Sequence, residues 1–181
     1  MACYAAGEPW TFYELNPAVV ALARDEKLFG EVARAVRRTT IKVGDARLRL
    51  AEEPDAHFAM IAVDAFSSDA IPAHLLTREA LAMYRRKLRE DGVVLINLSS
   101  RFADLPGVVA ATAAPAGFRV WWREDAALTD AQRKEGKSPS SWVLLTTGAE
   151  GPAGWKALVS PPHEEGWTDD LASVLPVLRW R

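Results

Sequence analysis

The sequence predicts an α/β protein built on a doubly wound, mostly parallel sheet with an antiparallel edge. Three observations carry this. Short apolar runs alternate with helix-like patterns along most of the chain, which is the mark of βα units. Two of these runs, "FAMIAV" at 58–63 and "VVLINL" at 93–98, are almost wholly apolar, as strands covered on both faces are. The last two, "FRVWWRE" at 118–124 and "SWVLLTT" at 141–147, read as antiparallel partners.

Each element has a local reason. "WTFYEL", 10–15, reads as a buried strand ending in Glu14, with Trp10 and Tyr13 in the core. Asn16 is a good N-cap, Pro17 suits the first helical position and Gly30 suits C′, so one helix is expected between them. "TIKV", 40–43, reads as a second strand closed by Gly44-Asp45, with a short helix at 46–51. After "FAMIAV", Thr77 caps a helix running to about Leu88, with Leu81, Tyr84 and Leu88 on one stripe and Gly92 ending it. Residues 105–116 read as helix. The stretch 125–140 is polar and reads as a mobile connection, and the Gly- and Pro-rich 148–166 as loop. The tail "GWTDDLASVLPVLRW" predicts a short final helix. There is no internal repeat.

Composition narrows the function classes. A chain of 181 residues predicts one domain over 1–181, with enough length for a sizeable core. Hydrophobic content of 49% and charged content of 25% are those of an ordinary globular protein. Net charge is −2, with Lys and Arg interspersed among Asp and Glu, so no nucleic-acid footprint is expected. Arg34, Arg37 and Arg38 read as a solvated helix face. Cys3 is the only cysteine, which forbids an internal disulfide and fits a reducing, cytoplasmic setting. His57, His74 and His163 lack metal-ligand spacing, so no metal is expected. No apolar run approaches the ~20 residues of a membrane span, and Met1 is not followed by a secretory signal pattern.

In open α/β sheets, ligands bind outside the carboxyl ends of the strands. Glu14 follows the first inferred strand, Asp45 the second, Asp64 and Asp69 the third, and Asn97, Ser99 and Ser100 the fourth. Glu14 stands where dinucleotide-binding folds accept both ribose hydroxyls, or where a helix dipole favours an acid. Asp45 could accept an adenine amine, or serve as a turn or cap residue. Asp64, at the end of a buried strand, can face a reacting centre. Asp64 and Asp69 are otherwise a pair of loop caps.

The segments "WTFYELNPAVVALA", "VGDAR", "VDAFSSDAIPAHLLTREAL", "GVVLINLSSR" and "WTDD" together resemble the polyamine aminopropyltransferases, the spermidine synthase group within the class I methyltransferase-like Rossmann fold. The resemblance is closest to bacterial spermidine synthase-like proteins, often fused to membrane segments. It implies transfer of an aminopropyl group from decarboxylated S-adenosylmethionine to a polyamine such as putrescine. By the same resemblance Glu14 would hold the ribose, Asp45 and its neighbour Ala46 the adenine, and Asp64 the attacking amine as base or orienter. Asp69 would bind the far ammonium, and His74 would line the pocket or play a structural part. Asp169 and Asp170 would close over the site or cap the last helix, and Glu79 is explained by its helix dipole. A homodimer is compatible with this reading.

Two departures stand beside the resemblance. The family opens its nucleotide site with a strand and a glycine-rich GxGxG turn, and neither has a counterpart here, which implies a domain truncated at its N-terminus. "DAFSSD" also replaces the usual shorter motif, which bears on amine choice. The alternatives are an S-adenosylmethionine-dependent methyltransferase and a non-catalytic domain of the same fold.

Overall fold

A computed structural model describes residues 7–65, 72–100, 102–161 and 164–179. The chain divides into two compact units, Met1–Glu53 and Pro54–Arg181.

The first unit holds strand β1 (Thr11–Glu14), helices α1 (Pro17–Ala23) and α2 (Glu26–Val36), strand β2 (Thr40–Val43) and the short helix α3 (Ala46–Ala51). β1 and β2 pair in parallel, with Glu14 opposite Val43. Asn16 caps α1 as expected, its side chain accepting from the Ala18 N–H. The helix does not run on to Gly30. Asp25 accepts from the Lys27 N–H at 2.8 Å and starts a second helix, so Gly30 lies inside α2. Asp competes with the backbone for hydrogen bonds, which favours a new cap over a continued helix. Phe29 leaves helical geometry at the kink (φ −136°, ψ 56°). Only Val20, Ala33 and Leu50 are fully buried among the apolar residues described in this unit, while Leu15, Leu28 and Leu48 are 60–71% exposed.

The second unit carries most of the core. Its elements are β3 (Phe58–Val63), α4 (Arg78–Lys87), β4 (Leu88–Asn97), α5 (Pro106–Ala113), β5 (Arg119–Asp125), α6 (Asp130–Lys134), β6 (Ser140–Thr146) and β7 (Lys156–Leu158). They form one five-stranded sheet in the order β3-β4-β6-β5-β7. β3 and β4 are parallel, and β6 is antiparallel to both β4 and β5. β3, β4 and β5 therefore share one direction, with β6 and β7 opposed. Leu76, Leu81, Tyr84, Val94, Ile96 and Val108 are among the largest fully buried side chains.

Four local expectations change here. Gly92 does not end a helix: α4 stops at Lys87 and Gly92 lies within β4, at a register shift opposite Phe58 and Met60. A Cβ on Gly92 would come to 3.0 Å from the Phe58 carbonyl oxygen, so a side chain here would crowd the irregular ladder. The polar connection holds α6, started by a capping box between Thr129 and Gln132. The tail holds only a 3-10 turn at Leu175–Val177, and β7 arises in the stretch read as loop.

Candidate functional site

Within the first unit, parallel pairing puts the carboxyl ends of β1 and β2 side by side. The Gly44 N–H donates to the Glu14 carbonyl at 3.0 Å. Gly44 turns the chain at φ 139°, and a Cβ there would lie 2.7 Å from Arg49 Nε. Glu14 and Asp45 are thus brought to one end of the same two-stranded sheet. Both are half-buried, and both have local duties. Glu14 Oε1 accepts from the Asn16 N–H at 2.8 Å. Asp45 is the N-cap of α3, accepting from the Leu48 N–H at 3.0 Å, and Ala46 is the first helical residue. Nearby, the Tyr13 hydroxyl donates to Glu53 at 2.8 Å, and Lys42 pairs with the same carboxylate. Burial first, and then the Glu53 carboxylate, hold the Tyr13 hydroxyl well above its ordinary pKa.

In the second unit, Asp64 directly follows β3 and is exposed. Asn97, the last residue of β4, donates from Nδ2 to Asp64 Oδ1 at 2.8 Å. The register explains the meeting: Val63 lies opposite Ile96 in the parallel ladder, so residues 64 and 97 emerge together at its carboxyl end. Ser99 follows on this rim, bonded to Asn97 and to the Ser141 N–H. His74 sits exposed in the 3-10 turn Ala73–Leu75. Asp69 lies outside the described residues.

The "WTDD" acids have a different setting. Asp169 accepts from the Thr77 hydroxyl at 2.7 Å, and its N–H donates to Glu79 at 3.0 Å. Glu79 thus serves the tail as well as its own helix dipole. A surface cleft in this unit is lined by Asp104, Gly107, Trp122, Glu164 and Arg179 among others, and neither Asp64 nor His74 lines it. Among the described residues, no group of three or more His, Cys, Asp or Glu is placed to hold a metal ion. Among them, too, no helix is long and apolar enough to cross a membrane.

The sequence reading placed Asn97 on the rim without identifying it as the partner of Asp64. The available signal was its place, a lone amide closing an apolar strand.

No protein-family model matches the sequence, and no curated protein matches it. Solved structures do. A probable spermidine synthase from Corynebacterium glutamicum aligns with 96% of this chain and 75% of its own, at 15% identity and a TM-score of 0.55. The spermidine synthase from Thermotoga maritima aligns with 77% of this chain and 46% of its own, at 16% identity and a TM-score of 0.53. A SAM-dependent methyltransferase from Archaeoglobus fulgidus aligns with 80% of this chain and 78% of its own, at 12% identity and a TM-score of 0.50. The chain therefore spans about half the length of the Thermotoga protein. At these identities the likeness is one of fold: the chain has a spermidine synthase-like, methyltransferase-type Rossmann fold.

Proposed function

We propose that the protein is a spermidine synthase-like transferase, moving an aminopropyl group from decarboxylated S-adenosylmethionine to a polyamine such as putrescine. The observation that supports this most is Asp64, an exposed carboxylate at the carboxyl end of β3, oriented by Asn97 from the neighbouring strand. An acid on that rim is where an α/β sheet does its chemistry.

The reaction asks little more of the protein than position and a proton acceptor. A neutral amine nitrogen attacks the methylene carbon beside the sulfonium. The new C–N bond forms as the C–S bond breaks, and the sulfur leaves as a neutral thioether. The nitrogen then carries a surplus proton, which Asp64 accepts directly or through water. Holding amine and sulfonium in line supplies much of the rate. In this reading Glu14 serves the ribose, Asp45 and Ala46 the adenine, Asp69 the distal ammonium, and His74 the pocket wall.

A methyltransferase reading has its own support in the likeness to the Archaeoglobus protein. Incubation with decarboxylated S-adenosylmethionine and putrescine, with spermidine followed by mass spectrometry, tests the first reading. Spermidine formation that falls at least about 100-fold in Asp64→Asn supports it. Calorimetric binding of S-adenosylmethionine, without any response to the decarboxylated form and putrescine, would replace it with the second. Silence towards all three compounds would remove both.

A further inference from the structure

Asp64 is held by a donor that is itself held. Asn97 Nδ2 donates to Asp64 Oδ1 at 2.8 Å. The Asn97 Oδ1 accepts twice, from the Ser99 N–H at 2.9 Å and from the Ser99 hydroxyl at 2.5 Å. The Ser99 oxygen accepts in turn from the Ser141 N–H at 3.0 Å. The row is anchored in the sheet: Ser141 belongs to β6, and its carbonyl takes the Leu98 N–H at 2.8 Å. Trp122 steadies the same residue by donating from Nε1 to the Ser141 hydroxyl at 2.9 Å.

Every donor in the row from Ser141 to Asp64 points the same way. This fixes which end of the Asn97 amide faces the acid. A flipped amide would set its NH2 against the Ser99 N–H and its carbonyl against a carboxylate, losing both of those bonds, which no hydroxyl rotation restores. Aligned bonds also polarise one another, so the amide N–H offered to Asp64 is a strengthened donor. One Asp64 oxygen is thereby occupied. The other has no hydrogen-bond partner among the described residues.

We infer that Asn97 is the positioning residue of Asp64, with Ser99 setting the orientation of Asn97, so that Asp64 presents one chosen oxygen to the attacking amine. The inference deepens the aminopropyl-transfer reading and rests on it for its kinetic consequence. The contact itself can be tested without turnover.

The test uses the whole chain and the variants Asn97→Leu, Ser99→Ala, Asp64→Ala and the double variant Asp64→Ala/Asn97→Leu. Asn97→Leu should lower kcat about 10–100-fold, with KM for decarboxylated S-adenosylmethionine within about twofold. Added to Asp64→Ala, it should change nothing further. Ser99→Ala should cost less, since the Ser99 N–H still holds the amide. In parallel, the side-chain NH2 resonances of Asn97 in a 1H–15N spectrum should shift in both Asp64→Ala and Ser99→Ala. An undiminished loss from Asn97→Leu in the Asp64→Ala background overturns the inference. So does a change in KM alone, or an amide resonance indifferent to Asp64. If the wild type transfers nothing, the proposed reaction falls, and the amide resonance alone decides whether Asn97 holds Asp64.

Discussion

The Thr77 hydroxyl donates to Asp169 Oδ1 at 2.7 Å, tying the residue that starts α4 to the "WTDD" segment near the end of the chain. Around this bond the Arg78 N–H donates to the Trp167 carbonyl at 2.8 Å. The Trp167 N–H donates to Thr112 Oγ1 of α5 at 3.0 Å, and that hydroxyl donates onward to the Val108 carbonyl. The tail segment is therefore a clasp across the starts and sides of two helices. Asp169 works there, and no final helix stands on it as a cap: the 3-10 turn of the tail starts from Val174.

The clasp makes unequal demands on its two partners. Thr77 is buried and also N-caps α4, accepting from the Ala80 N–H. Asp169→Ala should cost about 1–3 kcal/mol, from one buried hydroxyl left without its acceptor. Thr77→Val should cost about 1–2 kcal/mol more, because the cap goes too. Urea unfolding of the two variants measures the difference, and equal losses would mean that the cap contributes nothing.

Gly166 lies against α5. A Cβ on it would come to 2.8 Å from Thr112 Cα and 2.9 Å from the Thr112 nitrogen, both backbone atoms that cannot swing aside. Gly166→Ala should therefore destabilise by about 1–3 kcal/mol through overpacking. Gly148→Ala serves as a control at a position with nothing within 4 Å and no positive φ. A melting temperature unchanged in Gly166→Ala would show that the segment is free to move away.

Lys87 is buried, and its ammonium lies 2.8 Å from the exposed Asp55 carboxylate. The Lys87 hydrogen bond, chiefly, holds the Asp55 pKa below its ordinary value. A depressed carboxylate pKa contributes stability above the unfolded value of about 3.9, and the contribution is lost as pH falls through the folded value. Asp55→Asn should thus be less stable than wild type at neutral pH, with the gap closing on acidification below about pH 4. A gap that stays constant from neutral to acid pH would assign the loss to packing.

At the alkaline end, Tyr13 carries the opposite sign. Its hydroxyl is raised by burial first and by Glu53 second. The unfolded chain should release this proton near pH 10, before the folded one does, so the contribution is whole below about pH 10 and is lost above it. Ultraviolet titration should show a late-ionising component that is lost in Tyr13→Phe and comes earlier in Glu53→Gln. A Glu53→Gln curve superposing on wild type would leave burial as the sole cause.

Asp45 combines an observed cap with a proposed adenine contact. Asp45→Ser should separate them, since Ser caps about as well as Asp but brings no carboxylate. The melting temperature should hold within a degree or two, while affinity for decarboxylated S-adenosylmethionine falls at least about tenfold by calorimetry. Unchanged affinity would confine Asp45 to its structural duty.

Local chemistry was legible in the sequence because its causes lie within a few residues of their effects. Strands at 40–43 and 58–63, caps at Asn16 and Thr77, and a helix after Asp45 all follow from short-range periodicity and side-chain-to-backbone bonds. Even there, Gly30 was read as the end of one helix, while the Asp25 side chain caps a second helix that contains Gly30. What the tertiary structure alone decided is who meets whom. Asp64 and Asn97 stand 33 positions apart and touch only because β3 and β4 pair in one register. Thr77 and Asp169 meet only because the tail crosses α4. A residue type names the bonds it could make, and the partner is chosen by ladder register and packing, which no short window of sequence contains.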